Sequence, residues 1–383
     1  MFIPFIGILN AKSCIHLDLL SLFEMAKLSE LSNLALFKDL LKDPDRKSIF
    51  RIIYELFYLL IIYREIPVHY FSRFLFKKQI TNIKDFLPNK FLSNKITPNF
   101  NDQKVKEVLD NKLFFDFYYG QFNIALPKIL MYNYGKMFVI GKKSVEVNSI
   151  RDFRALLDDL FKKTPSYDSI FIKKTLAGSC GSNIFKLFLH QLSSDPEKIE
   201  EIYTQVIESE FLFQETVKQH HEMDRLNSSC LNTIRFDTFI NREGVADLIS
   251  GYIRMSIRNC YVDNISSGGC QVGIDLQTGK LKKLGYTPIK CFGVKVLKEH
   301  PVSKIIFENF EIPMFSQAKE LVLKTAKYMP GLRLVGWDVA IGESGPVLVE
   351  GNSDYDITGN DLVDGGYLAN TAFRKVLHEI NYL

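Results

Sequence analysis

The sequence predicts an α+β protein in which a helical N-terminal region precedes a small α/β module and a strand-rich C-terminal part. Apolar residues in the N-terminal region, for example at 19–41, recur near the helical period. From residue 136 onward, short apolar runs alternate with helical patterns, as they do in an α/β module. From residue 232 onward, strand patterns dominate and end in a hairpin at 336–352.

The predicted elements follow in order along the chain. A polar connection at 97–106 is followed by an amphipathic helix at 105–119. For the α/β module we predict strands at 137–140, 169–172 and 211–214, and helices at 149–163 and 196–209. For the C-terminal part we predict strands at 233–240, 246–258 and 271–276, and a helix at 316–328.

Composition limits the class of protein. The 383 residues suffice for two or three domains, and 46% hydrophobic and 24% charged residues are typical of a globular chain. The net charge of +4 and the lack of a dense basic stripe with interleaved aromatics argue against a nucleic-acid-binding protein. Six cysteines without CxxC or zinc spacing, and a start that lacks a signal peptide, lead us to expect a cytoplasmic protein.

The most apolar run, at 52–63, leaves two interpretations open. It is too short to span a bilayer, and a charged residue, Glu55, interrupts it. A core helix is one interpretation, and a helix lying at a membrane interface is the other. We therefore count a peripheral membrane contact through the N-terminal helices, at the inner face of the membrane, among the expectations.

The hairpin at 336–352 carries the main candidate site. Antiparallel pairing across the turn at 343–346 brings Asp338 close to Glu350 and Asn352, and the last two project from one face because they are two residues apart. Two carboxylates and an amide oxygen form the kind of all-oxygen site that Mg²⁺ prefers. The alternative is an acidic surface hairpin, but carboxylates among apolar strand residues are costly unless they are paired or bound to metal.

A loop of small residues follows the predicted strand at 169–172. Backbone N–H groups in such a loop can approach phosphate oxygens, and Lys173 just before it supplies a positive charge. The loop residues in question are Gly178, Ser179, Gly181 and Ser182. A P-loop motif is absent, and a glycine-rich hairpin without function is the alternative. Lys112 is a second candidate for binding phosphate, because Lys112, Lys173 with its loop, and the acidic hairpin follow one another along the chain.

In this order of motifs the chain resembles the ATP-grasp superfamily, and most closely the branch called sugar-transfer associated ATP-grasp. The resemblance covers roughly residues 105–379, and its most specific segment is the hairpin, followed by the segments at 264–269 and 232–235. It implies an ATP-grasp fold, in which two α/β subdomains clasp ATP, preceded here by a helical region. The implied parts are a connection at 105–135, a lid subdomain at 136–216 and a catalytic subdomain at 217–383. The helical region at 1–104 matches no part of the superfamily core, and we expect it to carry acceptor recognition.

The resemblance also implies roles for individual residues. Asp338, Glu350 and Asn352 match the positions that hold two Mg²⁺ ions, for which Mn²⁺ is an acceptable substitute. Lys112 and Lys173 match the lysines that bind the ATP phosphates, and the loop over the phosphates matches the one that contains Gly178. Arginines at the positions of Arg235 and Arg254 neutralise the transferred phosphate. Ser267 and Gly268 match the turn near that phosphate. The hinge that binds adenine matches Gln214, Glu215, Thr216 and Val217. Glu222 matches the acid that binds ribose.

Two departures from the family pattern stand out. Lys174 follows Lys173 where many relatives have proline, and Gly336 occupies the place of an arginine that some ligases have before the first metal aspartate. These departures leave the prediction of ATP binding intact. They limit the transfer of catalytic detail from the dipeptide ligases.

The function implied by the resemblance is ATP-dependent ligation of a carboxylate to an amine, with release of ADP and phosphate. The branch name suggests a small-molecule sugar or amino acid unit of a surface polysaccharide as the acceptor. Two alternatives stay open. One is a kinase that phosphorylates a hydroxyl, and the other is a nucleotide-binding scaffold without turnover.

Overall fold

The computed structural model describes residues 43–176, 184–257, 269–287 and 295–382. Within these ranges the chain forms two antiparallel sheets with flanking helices, so the predicted α+β class is confirmed. The predicted helical segment at 19–41 lies outside the described residues. Among the helices that are described, none has the length and apolar character that crossing a membrane requires.

The N-terminal region contains one long helix, α1 (Ile49–Tyr63), and a short helix, α2 (His69–Ser72). Ser48 caps α1 by accepting a hydrogen bond from the Arg51 N–H, and the helix ends at Arg64 in the left-handed conformation. The apolar run at 52–63 is thus confirmed as helical. Single helical turns follow at Ile83–Asp85, Leu92–Ile96 and Thr97–Asn99, and then come helices α3 (Glu107–Asp110) and α4 (Lys112–Tyr119).

The first sheet has six strands in the order β3-β2-β1-β6-β4-β5. Its strands are β1 (Ile129–Tyr134), β2 (Met137–Ile140), β3 (Lys143–Glu146), β4 (Ser169–Lys174), β5 (Ile184–Phe188) and β6 (Glu210–Glu215). Helices α5 (Ile150–Lys163), α6 (Gln191–Ser194) and α7 (Pro196–Val206) connect them. Residues of α5 and α7 form one hydrophobic core with Ile170, Ile172 and Phe213, so these helices cover one face of the sheet.

The second sheet has seven strands in the order β11-β10-β9-β8-β7-β12-β13. The strands are β7 (Thr233–Ile240), β8 (Ala246–Ser256), β9 (Gly269–Ile274), β10 (Leu281–Thr287), β11 (Lys295–Leu297), β12 (Leu334–Gly342) and β13 (Gly345–Asn352). The helices of this part are α8 (His221–Leu226), α9 (Phe315–Ala326), α10 (Thr358–Asp364) and α11 (Thr371–Glu379), with a single turn at Tyr367–Ala369. The predicted strands and the predicted helix at 316–328 are confirmed, with ends that differ by about two residues.

The two faces of the second sheet differ in chemistry. One face packs against α9 through residues such as Trp337, Val339 and Phe236, and the Trp337 indole N–H donates to Thr238 Oγ1 at 2.8 Å. Asp338 lies on the opposite face from Trp337 and Val339, because successive strand residues alternate between the two faces. We call the face that carries Asp338 the polar face of the second sheet.

The N-terminal region is fastened to the second sheet by buried polar contacts. The Arg73 guanidinium donates to Asp361 Oδ2 at 3.2 Å, and both side chains are almost fully buried. The same carboxylate accepts the backbone N–H groups of Leu87 and Tyr367. Burial raises the pKa of Asp361 to about 6, although Arg73 opposes the shift.

We predict that Arg73→Leu destabilises the protein by about 3–5 kcal/mol at pH 8, because it leaves a buried carboxylate without its cation. The loss is expected to shrink below about pH 6, where protonated Asp361 no longer needs the guanidinium. Chemical denaturation at both pH values measures the effect. Asp361→Asn, added to Arg73→Leu, removes the buried charge and keeps an acceptor for one of the two backbone N–H groups, so it is expected to recover part of the stability. A loss that is equal at both pH values would show that the ion pair is not the cause.

Candidate functional site

A β-bulge in the β12–β13 hairpin decides which side chains face the polar side of the sheet. Asp338 pairs with Glu350 and Gly336 with Asn352, whereas Val339 already pairs with Leu348. Val349 is therefore the extra residue of the bulge, and it lets Leu348 enter the core while Glu350 remains on the face of Asp338. The predicted convergence of Asp338, Glu350 and Asn352 on one face is confirmed by this register.

Asp338 is held by two arginines from neighbouring strands. Arg235 on β7 donates from Nε to Oδ1 at 2.6 Å and from Nη2 to Oδ2 at 3.1 Å. Arg254 on β8 approaches Oδ2 with Nη2 at 2.8 Å and also donates to Thr233 Oγ1. Burial alone would raise the pKa of Asp338, but the two guanidinium groups outweigh it, so the pKa lies below its ordinary value.

Lys112 links three elements at the edge of this polar face. Its ammonium lies 3.5 Å from Glu350 Oε2 on β13. Its backbone N–H donates to the carbonyl of Thr175 at 2.8 Å, which ties the start of α4 to the end of β4, two residues after Lys173. Asn111 caps α4 by accepting from the N–H groups of Leu113 and Phe114. Lys112, the first of the two lysines predicted to bind ATP, therefore lies between the β12–β13 hairpin and the first sheet.

The oxygen atoms of the hairpin suit a hard divalent cation, with one restriction. Glu350 and Asn352 are half-buried, and their carboxylate and amide oxygens are ligands of the type that Mg²⁺ binds. Both oxygens of Asp338 are engaged by guanidinium groups, so an ion that used Asp338 would have to displace at least one of those contacts. Among the described residues no group of three or more His, Cys, Asp or Glu side chains is arranged to hold a metal. The fit therefore rests on Glu350 and Asn352 first.

The two lysines at the end of β4 lie on opposite faces of the first sheet. Lys173 pairs with Leu212 and its ammonium lies 5.5 Å from the centroid of the Phe171 ring, on the face that the helices leave open. Lys174 follows Ile172, whose side chain is in the helix-covered core. Lys173 and Lys174 therefore point to opposite faces of the sheet, as the alternation predicted.

The predicted adenine hinge forms the end of β6 and the start of the link to the second sheet. The side chain of Glu215 accepts from the Tyr167 hydroxyl and from the Lys128 N–H, and Thr216 bonds to Ser169. Gln214 donates to the carbonyl of Pro127, while Val217 completes the segment after Glu215. These contacts fix the backbone where the sheets join. The role of the segment in binding adenine stays a prediction.

The remaining predicted site residues are less well placed or lie beyond what is described. Glu222 is on α8, where its carboxylate pairs with Arg225 at 2.7 Å and His221 at 3.4 Å. Its assignment to ribose stays a prediction. The loop and turn residues fall outside the described ranges; they are Gly178, Ser179, Gly181, Ser182, Ser267 and Gly268.

The structure adds features that the sequence reasoning missed. A cavity of about 390 Å³ lies between α4 and the strands β1 and β2, and its walls include Asp116, Phe117 and Tyr132. Burial raises the pKa of Asp116 to about 6. A lone carboxylate in the aromatic run at 114–119 was the signal that could have marked it. Thr233, which orients Arg254, could have been found because it lies two residues before Arg235 on the same strand face.

Comparison with known proteins agrees with the resemblance seen in the sequence. The chain matches the family described as sugar-transfer associated ATP-grasp over residues 92–376, more than half of its length. No curated protein matches it significantly. Among solved structures, similarity is found to D-alanyl-alanine synthetase A from Vibrio cholerae, with 13% identity, 72% of this chain and 65% of that chain covered, and a TM-score of 0.41.

Further solved structures are similarly remote. N5-carboxyaminoimidazole synthase from Aspergillus clavatus, in complex with ADP and 5-aminoimidazole ribonucleotide, shows 9% identity over 73% of this chain and 54% of that chain, with a TM-score of 0.40. D-alanine–D-alanine ligase from Bacillus anthracis shows 12% identity over 71% of this chain and 70% of that chain, with a TM-score of 0.36. The chain spans less than two thirds of the length of the Vibrio and Aspergillus proteins.

We predict that Lys173→Ala weakens ADP binding by about tenfold or more, because it removes a charged contact to the phosphates. Lys174→Ala is the matched control, since it removes the same charge from the neighbouring position on the other face. Calorimetric titration of both variants with ADP and a non-hydrolysable ATP analogue measures the difference. A larger loss in Lys174→Ala would show that the assigned face of β4 is wrong.

Proposed function

Since the chain belongs to the sugar-transfer associated ATP-grasp family, we propose that it is an ATP-dependent ligase that joins a carboxylate to an amine. The observation that carries this proposal is the cluster of charges on one face of the second sheet. Asp338 contacts two arginines and Glu350 contacts Lys112, so three cations and two carboxylates lie together at this face. Such a surface suits a triphosphate and its counter-ions.

Each charged group has a part in the proposed nucleotide site. Lys112 on α4 and Lys173 on the first sheet would bind the phosphates as point charges. Glu350 and Asn352, with Asp338, would hold Mg²⁺. When bound, Mg²⁺ would supply positive charge that neutralises the phosphates. The hinge at 214–217 supplies backbone groups for adenine.

The proposed reaction has two steps. The substrate carboxylate attacks the γ-phosphorus of ATP, the bond to the β-phosphate oxygen breaks, and ADP leaves with an acyl-phosphate formed. The amine then attacks the acyl carbon, phosphate leaves, and the amine loses a proton. The protein contributes orientation and charge. Arg254 is the better candidate to contact the transferred phosphate, because 16% of its side chain is exposed against 7% for Arg235, which also spends two hydrogen bonds on Asp338.

The substrates are proposed only by class. The family's description associates it with sugar transfer. On that basis we propose that the protein modifies a sugar or amino acid unit in surface-polysaccharide biosynthesis, in the cytoplasm. The runner-up is a kinase that uses the same charges to transfer phosphate to a hydroxyl. The charge cluster disfavours a scaffold without turnover. Burying Arg235 and Arg254 is costly, and a protein that only held a nucleotide would not need it.

We expect ADP release to require both a carboxylate and an amine, and a screen of amino acids, uronic acids and amino sugars with a coupled ADP assay tests this. Hydroxylamine in place of the amine distinguishes ligase from kinase, since it traps an acyl-phosphate as a hydroxamate. A ligase gives hydroxamate and free phosphate. ADP release with a hydroxyl substrate, no free phosphate and no hydroxamate would instead establish the kinase.

We predict that Glu350→Gln and Asn352→Ala each lower the turnover rate by about a hundredfold or more, because each removes a ligand from a site that holds dications between phosphates. Glu343→Gln is the control, since Glu343 is an exposed carboxylate in the turn of the same hairpin. Asp338→Asn is expected to abolish turnover. It is also expected to destabilise the fold, because it leaves the two buried arginines without a negatively charged partner. Near-normal ADP production by Glu350→Gln would contradict the metal assignment.

A further inference from the structure

Helix α1 presents a stripe of large apolar side chains to solvent. We call Phe50, Ile53, Tyr54, Phe57 and Ile61 the outer stripe; they are between 58% and 87% exposed. Their spacing of three and four residues puts them on one face of the helix, and that face runs over three turns without a charged side chain. An exposed apolar strip of this length is unusual on a protein surface and indicates a contact site.

The outer stripe is not the side by which α1 joins the protein. Ile52 and Leu59 on the opposite face are buried in the core of the N-terminal region. Glu55, also buried, is held by Lys47, Arg51 and the Tyr70 hydroxyl at 2.6–2.8 Å. The helix is thus fixed in orientation by one apolar face and by this ion network. The second apolar face contributes nothing to these contacts.

The region that carries the stripe has an excess of basic residues. Residues 43–104 contain eleven Lys and Arg against six Asp and Glu. Without the buried Lys47, Arg73 and Glu55, nine basic residues stand against five acidic ones. Lys84 is exposed and lies 5.0 Å from the centroid of the Tyr58 ring on α1. Arg64 is exposed at the C-terminal end of the helix, and Arg51 is more than half exposed near its start. Cations therefore flank the stripe along its length.

From this pairing of an apolar stripe with flanking cations, we infer that α1 binds the surface of a membrane that contains anionic lipids. The helix lies in the interface with the stripe inserted, because its 15 residues are too few to span a bilayer. The cations contact the lipid headgroups. This inference concerns the location of the protein and does not depend on the proposed function.

Charge argues against the two other occupants of the stripe. A second copy of the chain would bring the same excess of positive charge and so repel the first. Residues 1–42 of the same chain contain four Lys and Arg and four Asp and Glu, so they offer no negative excess to complement the basic surface. Anionic lipid headgroups supply that complement.

Flotation of the full-length protein with vesicles tests the inference. Phosphatidylcholine vesicles that contain phosphatidylglycerol are compared with vesicles of phosphatidylcholine alone. The test variant is Ile53→Ser/Phe57→Ser/Ile61→Ser. The matched control is Val302→Ser/Ile306→Ser, because those side chains are 60% and 64% exposed and lie far from α1 in sequence. Thermal unfolding of both variants verifies that the fold is kept.

We expect the protein and the control variant to float with the anionic vesicles, and the test variant to bind them about tenfold more weakly or worse. Raising the salt from about 0.1 M to 1 M, which shortens the Debye length from about 10 Å to 3 Å, is expected to release part of the bound protein. Equal binding of the test variant, or no binding to anionic vesicles, would overturn the inference. Self-association that the test variant abolishes, without vesicle binding, would identify a second copy as the occupant and overturn it as well.

Discussion

Asp338 on β12 is a buried carboxylate that contacts two guanidinium groups, one from each of the next two strands, β7 and β8. Removing three charges from water is costly, and the cost is offset only when the hydrogen bonds between them are well formed. Here the pairing of β12 with β7 places Arg235 directly beside Asp338, and Thr233 orients Arg254 toward the same carboxylate. The polar face of the second sheet depends on this arrangement, because the loss of Asp338 would leave two buried guanidinium groups without their carboxylate.

The arrangement also organises the groups around it. The bulge at Val349 keeps Glu350 on the polar face while its neighbour Leu348 completes the core. Glu350 in turn contacts Lys112, whose backbone joins the end of β4. These contacts join positive Arg254 to negative Asp338 and negative Glu350 to positive Lys112, and the backbone of Lys112 extends the series to the end of β4. Structure and proposed chemistry share the same contacts, so a substitution at Asp338 affects both.

Sequence reasoning reached the parts of this site that depend on local patterns. Period-two alternation across a short turn is sufficient to bring Asp338 opposite Glu350, and it also separates Lys173 from Lys174. From the sequence, a bound metal was expected to compensate the negative charge of Asp338. In the structure, two arginines also compensate it. Those partners come from other strands, and Arg235 is 103 residues away along the chain. No local signal specifies which distant strand lies beside β12.

Long-range packing and local irregularities were beyond the sequence for the same reason. The pair of Arg73 and Asp361 joins residues 288 positions apart, and the bulge at Val349 arises from competition between the core and the polar face. The apolar run in α1 predicted a helix but did not reveal that its two apolar faces have different surroundings. Helical periodicity reports the spacing of apolar residues, and the contacts of each face depend on the rest of the fold.

The central claim is that the polar sheet face binds a nucleotide together with a divalent cation. Water-proton relaxation with Mn²⁺ as the probe tests this most directly, because it detects metal bound to the protein without requiring turnover or a known substrate. The account predicts a relaxation enhancement that needs both the protein and ATP and that is lost in Glu350→Gln while Glu343→Gln retains it. An enhancement of equal size in Glu350→Gln, or one that does not depend on ATP, would contradict the account.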